Sequence, residues 1–194
     1  MPKYGLAIGR VGRKIGPVDE SERLKLFEQT VLPHLDAAYN LARWLAGNDH
    51  DAQDVAQEAS LRAFRFFGNF RGDNARAWLL TIVRNTFYTW LRKNRPPEKT
   101  VEIDDETLDI EDVSATPEAA SPPFADAGAV RRAIAELPVE FREIVILREM
   151  EGFSYKEIAD LAEVPIGTVM SRLARARKLL QKRLAAEFNQ GEKR

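Results

Sequence analysis

The stretch Phe153-Ser154-Tyr155-Lys156-Glu157-Ile158-Ala159-Asp160-Leu161-Ala162-Glu163-Val164-Pro165-Ile166-Gly167-Thr168-Val169-Met170-Ser171-Arg172-Leu173 decides how this chain folds. Ser154 followed three residues later by Glu157 is the pattern of a capping box, in which each side chain satisfies a backbone N–H that the first helical turn leaves open. Ile158, Leu161 and Ala162 give the helix that follows one apolar face. Val164-Pro165 breaks it. A second helix then starts near 166, with Val169, Leu173, Ala176, Leu180 and Leu184 recurring on its inner side. Two helices joined by a turn of three or four residues make a helix-turn-helix. The outer face of the second helix carries Thr168, Met170, Ser171, Arg172, Arg175 and Lys178. Small polar side chains at a helix N-terminus can approach base edges in the major groove, and arginines further along reach guanine or phosphate. A good bidentate contact adds about 1–3 kcal/mol of discrimination. An ordinary helical hairpin with a solvated basic face is the plainer reading; it leaves the coincidence of cap, turn, small residues and basic face unexplained.

Upstream, helices are expected at about 127–136 and 139–151, separated by Leu137-Pro138 and ended by Gly152. Before them, Pro96 to Asp126 holds ten acidic residues against Lys99 alone, a net charge of −9, and is rich in Pro, Ser, Thr and Ala. High net charge with little apolar periodicity marks a disordered or loosely held linker. It separates two basic segments, Arg71–Arg95 and Ile166–Glu187, each at +5, which the whole-chain charge of −1 conceals.

The N-terminal half also reads as helices. Ala52, Val55, Ala56, Ala59, Ala63 and Phe66 form a core-facing stripe, and Leu79, Ile82, Val83, Thr86, Phe87, Trp90 and Leu91 form another after the loop Phe70-Arg71-Gly72-Asp73-Asn74. Pro96 and Pro97 end that second helix, and Glu22–Leu45 supplies one or two earlier ones, bent near Pro33. Opposite the second stripe lie Trp78, Thr81, Arg84, Asn85, Tyr88 and Arg92, a basic surface with aromatics interleaved. Such a face suits phosphates and unstacked bases; equally, Trp78 and Tyr88 could be partly buried core aromatics beside solvated charges. Around Asp51 the outward face is Asp54, Glu58, Leu61 and Arg65, with Gln53 and Gln57 beside them. Acids around an outward Leu suit docking to a basic partner, though a plainly solvated face has the same pattern.

The bulk properties narrow the function classes. At 194 residues, with 44% hydrophobic and 30% charged, the chain can bury an ordinary core. The absence of cysteine removes disulfides, thiolate metal sites and thiol nucleophiles. No apolar run approaches the ~18–20 residues that span a bilayer. Met1–Pro17 has Lys3, Arg10, Arg13 and Lys14 but is broken by glycines and lacks an apolar signal-peptide region; it reads as a flexible basic tail, or an arm that touches DNA or a partner. No membrane insertion is expected, and a cytoplasmic location is the default. His34 and His50 sit in different contexts, Asp49-His50-Asp51 is better explained by helix capping than by a metal, and the glycines Gly9, Gly12 and Gly16 follow no strand. Neither catalysis, nor a metal, nor a cofactor is expected.

These motifs together resemble the extracytoplasmic-function (group 4) sigma factors of bacterial RNA polymerase, over about 20–187. Asp51-Ala52-Gln53-Asp54-Val55-Ala56-Gln57-Glu58 with Leu61-Arg62-Ala63-Phe64 is similar to region 2.2, and Phe70-Arg71-Gly72-Asp73 through Trp78-Leu79 with Arg84-Asn85 to regions 2.3 and 2.4. Leu137-Pro138, Phe141-Arg142, Glu157-Ile158-Ala159, Gly167-Thr168-Val169, Ser171-Arg172 and Arg175-Ala176-Arg177 resemble region 4. The resemblance implies an all-α protein of two small helical domains: a tail 1–19, a region 2 bundle 20–95, a flexible acidic linker 96–127, a region 4 helix-turn-helix 128–188 and a second tail 189–194. It implies that Asp51, Gln53, Asp54, Gln57, Glu58 and Leu61 dock on the β′ clamp helices of core RNA polymerase. Arg71, Asp73, Asn74, Trp78, Arg84, Asn85, Tyr88 and Arg92 would recognise and help melt the −10 element of promoter DNA. Thr168, Met170, Ser171, Arg172, Ala174 and Arg175 would meet the −35 element, with the polymerase β flap nearby and the linker running toward the RNA exit path. It further implies control by an anti-sigma factor in a stress response. Met170 and Ala174 depart from the family pattern, which has a basic residue and a larger residue there. A stand-alone repressor or response-regulator output domain would share the helix-turn-helix, but it leaves the Asp51–Glu58 motif and the basic aromatic helix without a purpose.

Overall fold

A computed structural model describes residues 19–94, apart from Asp73, and 127–191, with side chains to Ala186. The N-terminal tail, the acidic linker and the C-terminal tail foreseen from the sequence lie outside the described residues. Among the described residues every regular element is helical. In the first half these are α1 (Glu20–Val31), α2 (Leu35–Ala46), α3 (Asp49–Phe66) and α4 (Ala75–Asn94); in the second, α5 (Ala127–Ala135), α6 (Val139–Val145), α7 (Tyr155–Ala162) and α8 (Ile166–Gly191). None is long and apolar enough to cross a membrane.

Local chemistry sets the boundaries. The expected bend near Pro33 is a single 3₁₀ turn, Leu32–His34, between α1 and α2. Gly47, at φ 78°, closes α2 by donating its N–H to the Arg43 carbonyl (3.0 Å), a left-handed position that glycine takes without the Cβ penalty. Asn48 then opens α3, its side chain accepting the Asp51 N–H at 2.9 Å. Asn74 opens α4 in the same manner, accepting from Ala77 at 2.9 Å.

Ala52, Ala59 and Ala63 along α3 are fully buried. Their small side chains let α2 and α4 approach α3 closely, around Leu41, Leu45, Val55, Leu79, Leu80, Val83 and Phe87. Phe66, expected to end this stripe, is 49% exposed, and Phe67 takes the core position instead. The α-helix stops at Phe66, and the tighter 3₁₀ turn Phe67–Asn69 swings the next ring inward. There it meets Phe27, Phe70 and Trp78.

In the second half α8 is the spine on which α5, α6 and α7 pack. Val169, Leu173 and Ala176 are buried and Leu180 is half-buried, as their spacing predicts. The helix expected over 139–151 changes character midway. After Val145 it widens into a π-helical stretch, Ile146–Met150, where Glu151 donates to the Ile146 carbonyl at 3.0 Å. The wider turn keeps Ile146 and Leu147 buried while Arg148 reaches back to the Phe153 carbonyl (2.9 Å). The capping box at Ser154 and Glu157 is present in both directions.

The two halves are not held apart: α4 packs against α7, α2 against α6, and the buried apolar residues of both form one continuous core. Arg142 of α6 donates to the carbonyls of Trp44 (2.9 Å) and Leu45 (3.4 Å), at the end of α2, and to that of Leu137 (2.9 Å). The Trp44 and Leu45 carbonyls lie in the last turn of α2, where a helix leaves them without an intrahelical partner.

Candidate nucleic-acid interface

Three surfaces carry the residues singled out by the sequence. The first is the start of α8. Pro165 ends the turn, and its carbonyl accepts the N–H groups of Thr168 (2.9 Å) and Val169 (3.2 Å). Because Val169, Leu173 and Ala176 point into the core, Met170 and Ala174 stand exposed, while Thr168, Ser171, Arg172 and Arg175 are half-buried around the same end. The Ser171 hydroxyl donates to the Thr168 carbonyl at 3.1 Å. Arg177, further along, is held by Glu149 at 2.8 Å. Met170, at 52% exposure, presents an uncharged thioether at this end of the helix. The helix is thereby offered N-terminus first, the orientation in which a recognition helix enters a major groove.

The second surface is the outer side of α3. Gln53, Asp54, Gln57, Glu58 and Leu61 are exposed together, Leu61 at 56%. Asp51 is different: half-buried, its carboxylate accepts from the Asn48 amide at 2.6 Å, which makes it part of the helix cap. Glu58 pairs with Arg62 at 2.6 Å on the same helix. Phe64, part of the motif quoted with Leu61, is 39% exposed, with one edge against Phe27. Arg23 donates to the carbonyls of Phe64 (2.9 Å) and Arg65 (3.2 Å), fixing the end of α3 against α1.

The third surface, on α4, departs from expectation. Arg71, Asn74 and Arg92 are exposed, and Asp73 lies outside the described residues. Trp78, for which the sequence left an exposed ring and a core aromatic both open, is only 6% exposed. Its ring sits 5.1 Å from that of Phe70 and 6.3 Å from that of Phe67. The loop before α4 folds Phe70 back over the indole, so the ring serves the core. Thr81 is buried as well, donating to the Ala77 carbonyl at 2.9 Å. Arg84, Asn85 and Tyr88 do come together, and they are covered. Arg84, its side chain 14% exposed, donates through Nε to Oε1 of Glu143 in α6. The Tyr88 hydroxyl donates to Oε2 of the same carboxylate at 2.8 Å. The Arg84 guanidinium lies 4.8 Å from the centre of the Tyr88 ring and also reaches the Asn85 side-chain oxygen at 3.3 Å. Burial, and then the negative charge of Glu143, hold the Tyr88 phenol far above its ordinary range, so it stays a hydrogen-bond donor.

Glu143 is the residue that sequence reasoning passed over. It is 0% exposed, an acid one helical turn before Ile146 and Leu147, on a side of the helix where spacing calls for an apolar residue. That misfit was the available signal. Nearby, Arg76 of α4 pairs with Glu151, donates to its carbonyl at 2.8 Å and lies 5.1 Å from the Phe153 ring centre.

Comparisons with known proteins find matches for both halves of the chain. The family "Sigma-70 region 2" matches residues 30–96, and "Sigma-70, region 4" matches 127–180. The chain is similar to the RNA polymerase sigma-H factor of Pseudomonas aeruginosa, 37% identical over 168 residues that cover 82% of this chain and 86% of the relative. It is also 37% identical to the ECF RNA polymerase sigma-E factor of Escherichia coli K12 over 142 residues, covering 69% of this chain and 74% of that one. Among solved structures it resembles the sigma factor RpoE in complex with the anti-sigma factor NepR from Bartonella quintana, at 34% identity and a TM-score of 0.64, covering 83% of this chain and 98% of that one. CnrH in complex with the cytosolic domain of CnrY shares the fold, at 23% identity and a TM-score of 0.58, covering 86% of this chain and 92% of that one.

Proposed function

This chain belongs to the extracytoplasmic-function sigma factors of the sigma-70 family, and from that premise we propose which of its surfaces binds polymerase, which reads each promoter element, and what controls it. As a sigma factor it directs core RNA polymerase to promoters. The exposed face of α3, Gln53, Asp54, Gln57, Glu58 and Leu61, docks on the clamp helices of the β′ subunit, with Asp51 holding the start of that helix through Asn48. Acids surrounding one apolar anchor give both steering and a buried contact. Phe64, three residues along the same helix, extends the anchor.

The start of α8 meets the −35 element: Thr168 and Ser171 lie near base edges, Arg172 and Arg175 against phosphate or guanine, and Met170 and Ala174 contribute apolar contact. Arg71, Asp73, Asn74, Arg84, Asn85, Tyr88 and Arg92 engage the −10 element, and Trp78 supports that face from beneath. Residues 20–95 and 128–188 form the two DNA-contacting domains, with 96–127 as the acidic connection. The protein works in the cytoplasm with polymerase, catalyses no reaction of its own, and is held in check by an anti-sigma factor, the kind of partner with which the Bartonella relative was crystallised.

One observation carries this reading. A single chain holds a helix-turn-helix with its reading end exposed and, on its other half, an acidic face with an apolar anchor that a stand-alone repressor has no use for. Transcription from supercoiled promoter DNA with purified core polymerase tests it. Start-site-specific RNA is expected only when the protein is added; RNA unchanged by its addition would return the repressor reading.

A further inference from the structure

We propose that the free protein latches itself shut: Glu143 of the second half takes the Arg84 guanidinium and the Tyr88 hydroxyl as its own partners, so that −10 DNA must displace this carboxylate to reach them. The proposal rests on the assignment of Arg84 and Tyr88 to the −10 element.

Among the described residues, three polar joints cross the boundary between the halves. Glu143 binds Arg84 and Tyr88 through its two oxygens. Glu151 binds Arg76, whose guanidinium also faces Phe153. Arg142 binds the end of α2. In each, a charged side chain of one half finds its partner in the other, 55 to 98 residues away along the chain. An apolar contact would serve simple cohesion better, because a buried carboxylate and guanidinium both surrender hydration that their mutual attraction only roughly restores. What an ionic joint offers instead is exchangeability. Once the halves part, Glu143 and Arg84 each regain water, so the closed and open forms differ little in electrostatic energy. A guanidinium that accepts a carboxylate in a fixed geometry also accepts a phosphate oxygen or a base acceptor. Glu143 is therefore an internal stand-in for the anionic acceptor the promoter supplies, and the two ligands exclude one another.

The native chain has no cysteine, so Glu28→Cys and Lys182→Cys, both at exposed positions on opposite halves, allow a donor and acceptor dye to report their separation. In the full-length protein, Glu143→Gln should lower energy transfer. It should also tighten binding of a labelled single-stranded oligonucleotide, taken from the non-template strand of the promoter mapped by transcription, by about 10-fold. Unchanged transfer and unchanged affinity in a variant with wild-type circular dichroism would overturn the latch. If the variant loses its helical signal, titrating the doubly labelled protein without that substitution with the same oligonucleotide decides: transfer that falls with occupancy supports the latch, and binding at constant transfer rejects it. Transcription by the holoenzyme reads the sigma-factor assignment separately, since the energy-transfer comparison of the free wild-type and Glu143→Gln proteins needs neither polymerase nor promoter DNA.

Discussion

The Arg84 guanidinium has a carboxylate along one edge and a phenol ring against its face, whereas the arginines of α8 lie at the outer end of a helix whose core-facing side is already filled. That contrast decides where a single substitution will be felt. Arg175→Ala should weaken −35-dependent initiation and lower the salt slope of DNA binding by about one phosphate contact, measured by titration at several salt concentrations; an unchanged slope would remove Arg175 from the contact set. Met170 and Ala174 carry no side-chain hydrogen-bond donor, so under the proposed −35 assignment hydrogen-bond discrimination falls to Thr168, Ser171, Arg172 and Arg175. Trp78 shows the limit of reading residue by residue. Its spacing with Arg84 and Tyr88 left it between the reading face and the core, and the neighbouring Phe70 ring, brought back by the loop, settled it in the core.

Helices here are specified mostly by their ends and by the size of their inner residues. The capping box of α7 is complete, and the Glu157 carboxyl is held below the ordinary glutamate range by the Ser154 backbone N–H and then by its hydroxyl. A carboxyl depressed in the folded state adds stability above its unfolded value and loses it as the pH falls through its folded value. Ser154→Ala should therefore cost about 0.5–2 kcal/mol near neutral pH and flatten the acid side of the stability profile, read from urea midpoints at a series of pH values. The fully buried alanines of α3 make the complementary case. Ala59→Leu inserts bulk where α2 and α4 close on α3, and should cost about 1–3 kcal/mol in a thermal or urea melt. Both the cap and the alanine stripe were visible in the sequence, because each depends on residues three or four positions apart.

Among the described residues the two halves share one core and the polar joints of Glu143, Glu151 and Arg142, while the acidic face of α3 stays exposed. Binding to polymerase and closure of the halves thus use different surfaces. Asp54→Lys should weaken co-purification with core polymerase about 10-fold or more by charge reversal, while the affinity of α8 for duplex DNA is retained; wild-type recovery of holoenzyme would argue against the docking face. The charge pattern that the sequence exposed, two basic segments around an acidic one, shows that each half carries its own concentration of positive charge. It does not say that one half can cover the other's reading face, since that depends on which acid reaches which arginine.

By itself the sequence determined that this protein is helical throughout its two halves, where the helix-turn-helix lies and which face of α8 is outward. Capping, periodicity and turn chemistry act over a few residues and are written in order along the chain. Only the tertiary structure decided that Phe67 rather than Phe66 enters the core, that Trp78 is buried, and that Glu143 closes over Arg84 and Tyr88. Those outcomes join side chains as much as 59 residues apart, and their energies depend on burial and exclusion of water that exist only once the halves have packed.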